Sequence, residues 1–171
     1  MVRICCIIGL APDLLPAAFQ GDSEEGFQLE LQLAAEIDGL IRAGVTRFLT
    51  VLNRGTDLWA AGIVLNLRQA HPESGVRLWV AEPYGGRSRY WRKGERFRYE
   101  EIIGQADEVL TLFPRYRNGC QWRAARYLVE NSHCVLAVAP GGENDWQGAL
   151  ALARARGLKV VTVDPRSLGE G

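Results

Sequence analysis

Four short stretches hold residue types that could meet a charged ligand. "NRGTD" (53–57) sets an amide, a guanidinium and a glycine just ahead of a helix. A helix N-terminus offers unpaired amide protons and about half a positive charge, which favours an anion. Asp57 suits that place in two ways, as a cap of the helix or as a ligand contact. "YGGRSRYWRK" (84–93) interleaves aromatic rings with cations, a pattern that stacks on bases and pairs with phosphates, or simply forms a solvated loop. "PRYRNGCQWR" (114–123) adds Arg115, Arg117 and Arg123 around a turn. "PGGEN" (140–144) pairs Gly141 with Gly142, and glycine lets backbone approach a ligand closely because no Cβ intervenes.

Charge is distributed unevenly. The 171-residue chain carries 20 Lys+Arg and 20 Asp+Glu, a net of zero, which excludes a protein that works by global attraction to nucleic acid or a membrane surface. Yet Arg54, Arg87, Arg89, Arg92, Lys93, Arg115, Arg117 and Arg123 all fall in the stretches above, while acids gather in "DSEEG" and "EIDG". An anionic small molecule is therefore the expected partner. His71 and His133 lie at a helix end and a strand start, outside those stretches, and no Ser-His-Asp or Cys-His arrangement is readable. Cys120, between Arg117 and Arg123, is the one candidate for an activated thiol. Cys5, Cys6, Cys120 and Cys134 show no metal-ligand spacing, and reduced cytoplasmic thiols are expected.

The elements that must position these loops alternate along the chain. Apolar runs at 3–9, 46–52, 76–82, 107–113, 133–139 and 159–164 predict strands, and segments at 24–44, 56–71, 94–106, 118–131 and 145–157 predict helices. Strand and helix alternating without pause imply parallel strands joined by right-handed crossovers, and near-continuous apolar strands imply a sheet covered on both faces. The fold class is α/β: a Rossmann-like, doubly wound parallel sheet of three layers, one domain over 1–171 with a flexible tail at about 166–171. Ligands of such sheets lie beyond the carboxyl ends of the strands, where strand order reverses. The loops 9–12, 52–55, 82–94, 114–122 and 140–144 end there, but strand order is not readable. No stretch reaches the ~20 apolar residues of a membrane helix.

Three blocks, "GVTRFLTVLNRGTDLWAAGIVLNL", "GCQWRAARYLVENSHCVLAVAPGG" and "ALARARGLKVVTVDP", resemble the SLOG superfamily, most closely its YpsA-like branch, over roughly residues 3 to 165. The resemblance implies a Rossmann-like fold and a site for nucleotide-like ligands. It implies kinship with the LOG phosphoribohydrolases and with DprA. It also exposes departures. Where relatives carry Thr-Gly-His-Arg after the first strand, this chain has Ile8, Gly9, Leu10 and Ala11. A Gly pair after the second strand is replaced by Val51 and Leu52. An Arg-Asn pair before the fifth strand is replaced by Ala124 and Ala125. Trp146 and Gln147 stand roughly where small hydroxyl residues are usual.

The resulting expectation is a cytoplasmic SLOG-type protein that binds a nucleotide or nucleotide derivative, with sensing rather than hydrolysis as its role. Gly9, Asn53, Arg54, Gly55, Asp57, Arg117, Arg123, Gly141 and Gly142 are the expected ligand contacts, and Glu143 is the candidate catalytic carboxylate. No metal or cofactor is expected. A homodimer is the expected self-assembly, and nucleic acid and membrane are not expected partners. The alternatives are a nucleoside 5'-monophosphate phosphoribohydrolase and an interaction protein with a vestigial pocket.

Overall fold

The computed structural model describes residues 2–20 and 22–169. Six strands, β1 (Ile4–Ile8), β2 (Arg47–Thr50), β3 (Arg77–Tyr84), β4 (Glu108–Phe113), β5 (Cys134–Val138) and β6 (Lys159–Val163), form one parallel sheet in the order β4-β3-β2-β1-β5-β6. The helices are α1 (Glu24–Arg42), α2 (Thr56–Ala70), α3 (Lys93–Gln105), α4 (Cys120–Glu130) and α5 (Ala149–Ala155). The chain runs outward from β1 to β4 and then returns to place β5 on the other side of β1. Strand order thus reverses between β1 and β5, which fixes where a ligand cleft belongs.

Two apolar layers sandwich the sheet. Alternate strand residues (Cys5, Ile7, Phe48, Leu78, Leu136) pack against α1, α2 and α3, and the intervening ones (Cys6, Ile8, Leu49, Ala81, Val135) pack against α4 and α5. Helix α1 shows why these segments fold locally as they do. The Ser23 hydroxyl accepts from the Gly26 amide at 3.0 Å, Glu24 and Glu25 occupy the first turn, and Leu29, Leu33, Ile37 and Leu40 form one buried stripe. All four cysteines are free and buried.

One boundary differs from the expected one. The last crossover was expected to be helical from 145; α5 begins only at Ala149, because Gln147 and Gly148 have φ of 50° and 69° and break the helix. After β6 the chain makes a 3-10 turn over Pro165–Gly169, with Leu168 against the core; residues 170 and 171 of the expected flexible tail lie outside the described residues. No helix among the described residues is long and apolar enough to cross a membrane.

Candidate functional site

Three loops converge beside the reversal point. The loop after β1 and the N-terminus of α2 lock together: the Leu10 amide donates to the Thr56 hydroxyl at 2.8 Å, and the Thr56 amide donates to the Leu10 carbonyl at 3.0 Å. This closeness requires two glycines. Gly55 has φ of 95°, and a Cβ there would collide with the Leu10 carbonyl and reach 3.1 Å from the Ala11 carbonyl carbon. A Cβ on Gly9 would run into the Asp57 carboxylate and sit 2.7 Å from the Thr56 hydroxyl. The loop after β5 is tied in by Asn144, whose amide donates to the Gly9 and Val138 carbonyls at 3.0 Å each and whose oxygen accepts from the Trp146 amide.

Beneath the cleft lie two buried charges. Asp57 is 2% exposed; one carboxylate oxygen accepts from the Asn53 amide at 2.9 Å and the other has no hydrogen-bond partner. It is not the helix cap, since Gly55 occupies the N-cap and no side chain caps α2 there. Arg87 is 7% exposed and donates to the Asn53 side-chain oxygen at 3.1 Å, to the Leu52 carbonyl at 3.0 Å and to the Val51 carbonyl. Its guanidinium lies 5.7 Å from the Trp91 ring centre and 5.3 Å from that of Tyr99. Burial draws its affinity for a proton down to about 10, against the pull of Glu82 and Asp57. Arg87 thus lines the cleft while its guanidinium grips the exit of β2.

That exit is strained. Leu52 is fully buried with φ of 59°, a backbone state costing a non-glycine residue roughly 1–2 kcal/mol. The Thr50 hydroxyl accepts from the Leu52 amide at 2.9 Å, and Arg87 holds the carbonyl. With Gln147, Leu52 is one of two non-glycine residues of positive φ among the described residues, and both flank the reversal point. Strain of this kind collects at functional sites because surrounding contacts over-determine it.

Burial pushes the Asp57 carboxyl up to about 6, outweighing the Asn53 amide and the Arg87 charge, which favour the anion. The native state therefore holds a proton that the unfolded chain releases near pH 4. Protonated Asp57 adds stability that is fully present below about pH 4 and is lost as pH rises through about 6. A shift of that size corresponds to roughly 3 kcal/mol. Urea titrations at pH 4 and pH 7 are expected to show the wild type losing more stability over that interval than Asp57→Asn, by up to about that amount; equal losses would contradict the reading.

The cleft above these groups has a volume of about 350 Å³, and its lining includes Gly9, Asn53, Arg54, Trp91, Asn144 and Trp146. Gln121, in the first turn of α4, also reaches it, with its side-chain oxygen buried and unpartnered. Arg54 pairs with Glu95 at 3.1 Å and is shared with a neighbouring cavity of about 810 Å³ between the α1 entry, α2 and α3. Of the expected contacts, the structure brings together Gly9, Asn53 and Arg54, with Asp57 buried beside them and Gly55 lining the neighbouring cavity. Others fall outside this lining. Arg117 lies 4.7 Å from the Phe113 ring centre, and Arg123 lines a groove beside α4 and β4. The Gly141 amide donates to Asp164 at 2.9 Å, Gly142 offers its carbonyl to Arg154, and exposed Glu143 pairs with Arg154 at 3.3 Å. Cys120 is fully buried, which removes it as an accessible thiol. Thr56, Gln121 and Asn144 were missed; a threonine opening a helix and an asparagine two residues past a Gly pair were the available signals.

The fold and cleft define a Rossmann-like α/β protein with a ligand-sized cavity at its strand-order reversal. Residues 5–151 match the model of the YspA SLOG family (YpsA), and the chain belongs to that family. It is 34% identical to the UPF0398 protein BH1768 of Halalkalibacterium halodurans over 105 residues, which are 60% of this chain and 54% of that protein. It is 27% identical to the UPF0398 protein RBAM_020340 of Bacillus velezensis over 138 residues, covering 79% of this chain and 74% of that one. The chain thus spans about half the length of the first relative. The fold is shared with the X-ray structure of TM1055, a Northeast Structural Genomics Consortium target, at a TM-score of 0.52 and 13% identity, over 93% of this chain and 72% of that one.

Proposed function

We propose that this protein is a cytoplasmic sensor that binds a nucleotide or nucleotide derivative in the reversal-point cleft without cleaving it. The observation that carries the reading is the composition of the cleft. Trp91 and Trp146 supply aromatic surface for a base or ribose, and Asn53, Gln121 and Asn144 supply polar partners. Arg54 at the mouth supplies the cation for a phosphate. The Glu143–Arg154 pair supports binding over hydrolysis, because it engages the candidate catalytic carboxylate outside the cleft lining. Asp57, the carboxylate beneath the cleft, is held by the Asn53 amide.

Thermal unfolding with millimolar AMP, ADP-ribose, NAD and a cytokinin riboside monophosphate tests the proposal. A ligand at about 100 times its dissociation constant adds ~2.7 kcal/mol, a shift of several degrees for a domain of this size. A shift with at least one of these is expected, reduced in Arg54→Ala by roughly ten- to a hundredfold in affinity. No free base is expected from AMP. Base release that is lost in Glu143→Gln would favour the phosphoribohydrolase instead, and no shift with any nucleotide would favour an interaction protein.

A further inference from the structure

Strand β4 is the sheet edge that the fold leaves open. It runs six residues, "EVLTLF", with no proline before Pro114 at its end, and among the described residues pairs only with β3, in register from Trp79–Glu108 to Tyr84–Phe113. Val109 is 42% exposed and Leu110 44% exposed, on opposite faces of the sheet. Soluble proteins normally blunt such an edge with a lysine, a bulge, a proline or a covering element. The opposite edge follows that rule: β6 starts with exposed Lys159 and is followed by the turn at Pro165–Gly169.

The face next to β4 is also under-covered. Three helices cover one face of the sheet and two cover the other, and α4 lies chiefly over β3. Two grooves of about 380 and 470 Å³ remain beside β4, the first lined by Trp79, Leu110 and Tyr127 and the second by Leu112, Trp122 and Arg126. Trp122 is exposed on this side. An apolar edge and an apolar face coincide at one place, which is a mark of an interaction surface.

Charge selects the occupant. The edge opens with Glu108 and closes with Arg115 and Arg117, while the preceding Asp107 is already held by Arg68, Arg77 and the Leu78 amide. Glu108 and Arg115 have no ion-pair partner among the described residues. An antiparallel copy of the same strand lays the acidic end of each beside the basic end of the other. A twofold axis through Thr111, normal to the sheet, preserves the faces and sets Leu110 opposite Leu112 and Val109 opposite Phe113 of the second copy. Those are apolar cross-strand pairs, which stabilise antiparallel pairing. An isologous contact of this kind closes on itself.

We propose that two copies of this chain dimerise through β4, edge to edge and antiparallel about Thr111, so that one sheet runs through both. The proposal does not depend on the identity of the ligand.

Sedimentation of the full chain over a concentration series tests it, with Thr111→Cys as the geometric probe. The wild type is expected to sediment as a dimer. The native cysteines are all buried, so Thr111→Cys is expected to crosslink to itself under oxidised glutathione. Leu110→Pro, at a position whose amide faces the open edge while those of Asp107, Val109 and Thr111 face β3, is expected to raise the dimer dissociation constant about tenfold or more, through lost ladder bonds between the copies. Glu108→Arg is expected to weaken the dimer, and Glu108→Arg with Arg115→Glu to recover it. Should Leu110→Pro fail to fold, the crosslink decides. A monomer at every concentration overturns the proposal, including the case of a different protein supplying the strand. A dimer that gives no Thr111→Cys crosslink overturns it too.

Discussion

Arg87→Met is expected to destabilise the protein by about 3–5 kcal/mol and to abolish binding in the cleft. The change removes the donor to the Val51 and Leu52 carbonyls and to the Asn53 side chain. It also leaves buried Asp57 and Glu82 without the cation between them. Breaking one side of a buried charge cluster costs about that much, because the remaining charges keep their desolvation penalty. The three acceptors all lie on the strained exit of β2, so their release lets Leu52 relax from φ of 59° and displaces Asn53 from the cleft wall. Arg87→Lys keeps the charge but lacks the planar fork, and a loss of about 1–3 kcal/mol is expected. Urea midpoints of the three proteins check this. A Met variant within about 1 kcal/mol of wild type would show that the guanidinium does not hold the loop.

Gly55→Ala is expected to cost roughly 2–5 kcal/mol, combining a backbone state that only glycine adopts easily with a Cβ driven into rigid backbone. The colliding groups are the Leu10 carbonyl and Ala11, which cannot rotate away as a side chain could. The Leu10–Thr56 bonds that join β1 to α2 must then open, so the cleft loses its wall along with its stability. A useful contrast is Gly104→Ala in α3, where nothing lies within 4 Å of the added methyl. There the same substitution is expected to stabilise by about 0.4–1 kcal/mol, through helix propensity and a less flexible unfolded chain. Opposite signs at Gly55 and Gly104 in one denaturation series would confirm that close approach, not glycine content, governs the site.

The two apolar periodicities made the elements legible, since strands buried on both faces and helices with one buried stripe leave clear patterns in "RICCIIG" and "LELQLAAEIDGL". Strand order was not legible, because it depends on which crossover returns past β1, and nothing local encodes that choice. The arginines were harder still. Arg87, Arg89 and Arg92 look alike in "YGGRSRYWRK", yet only Arg87 is buried. Its direction is set by carbonyls more than thirty residues earlier in the chain, gathered by the turn of Leu52. The expected cradle at Gly141 and Gly142 faces Asp164 and Arg154 for a similar reason: a partner from β6 and α5 competes for it.

The cleft can be read directly by its own fluorophores. Trp91 and Trp146 line it, so a titration of intrinsic fluorescence with AMP and with ADP-ribose reports occupancy. A saturable change with at least one of them is expected, weakened in Arg54→Ala and diminished in Trp146→Phe. A flat titration to millimolar nucleotide, or a saturable change that neither substitution alters, would contradict a nucleotide site at the reversal of the sheet.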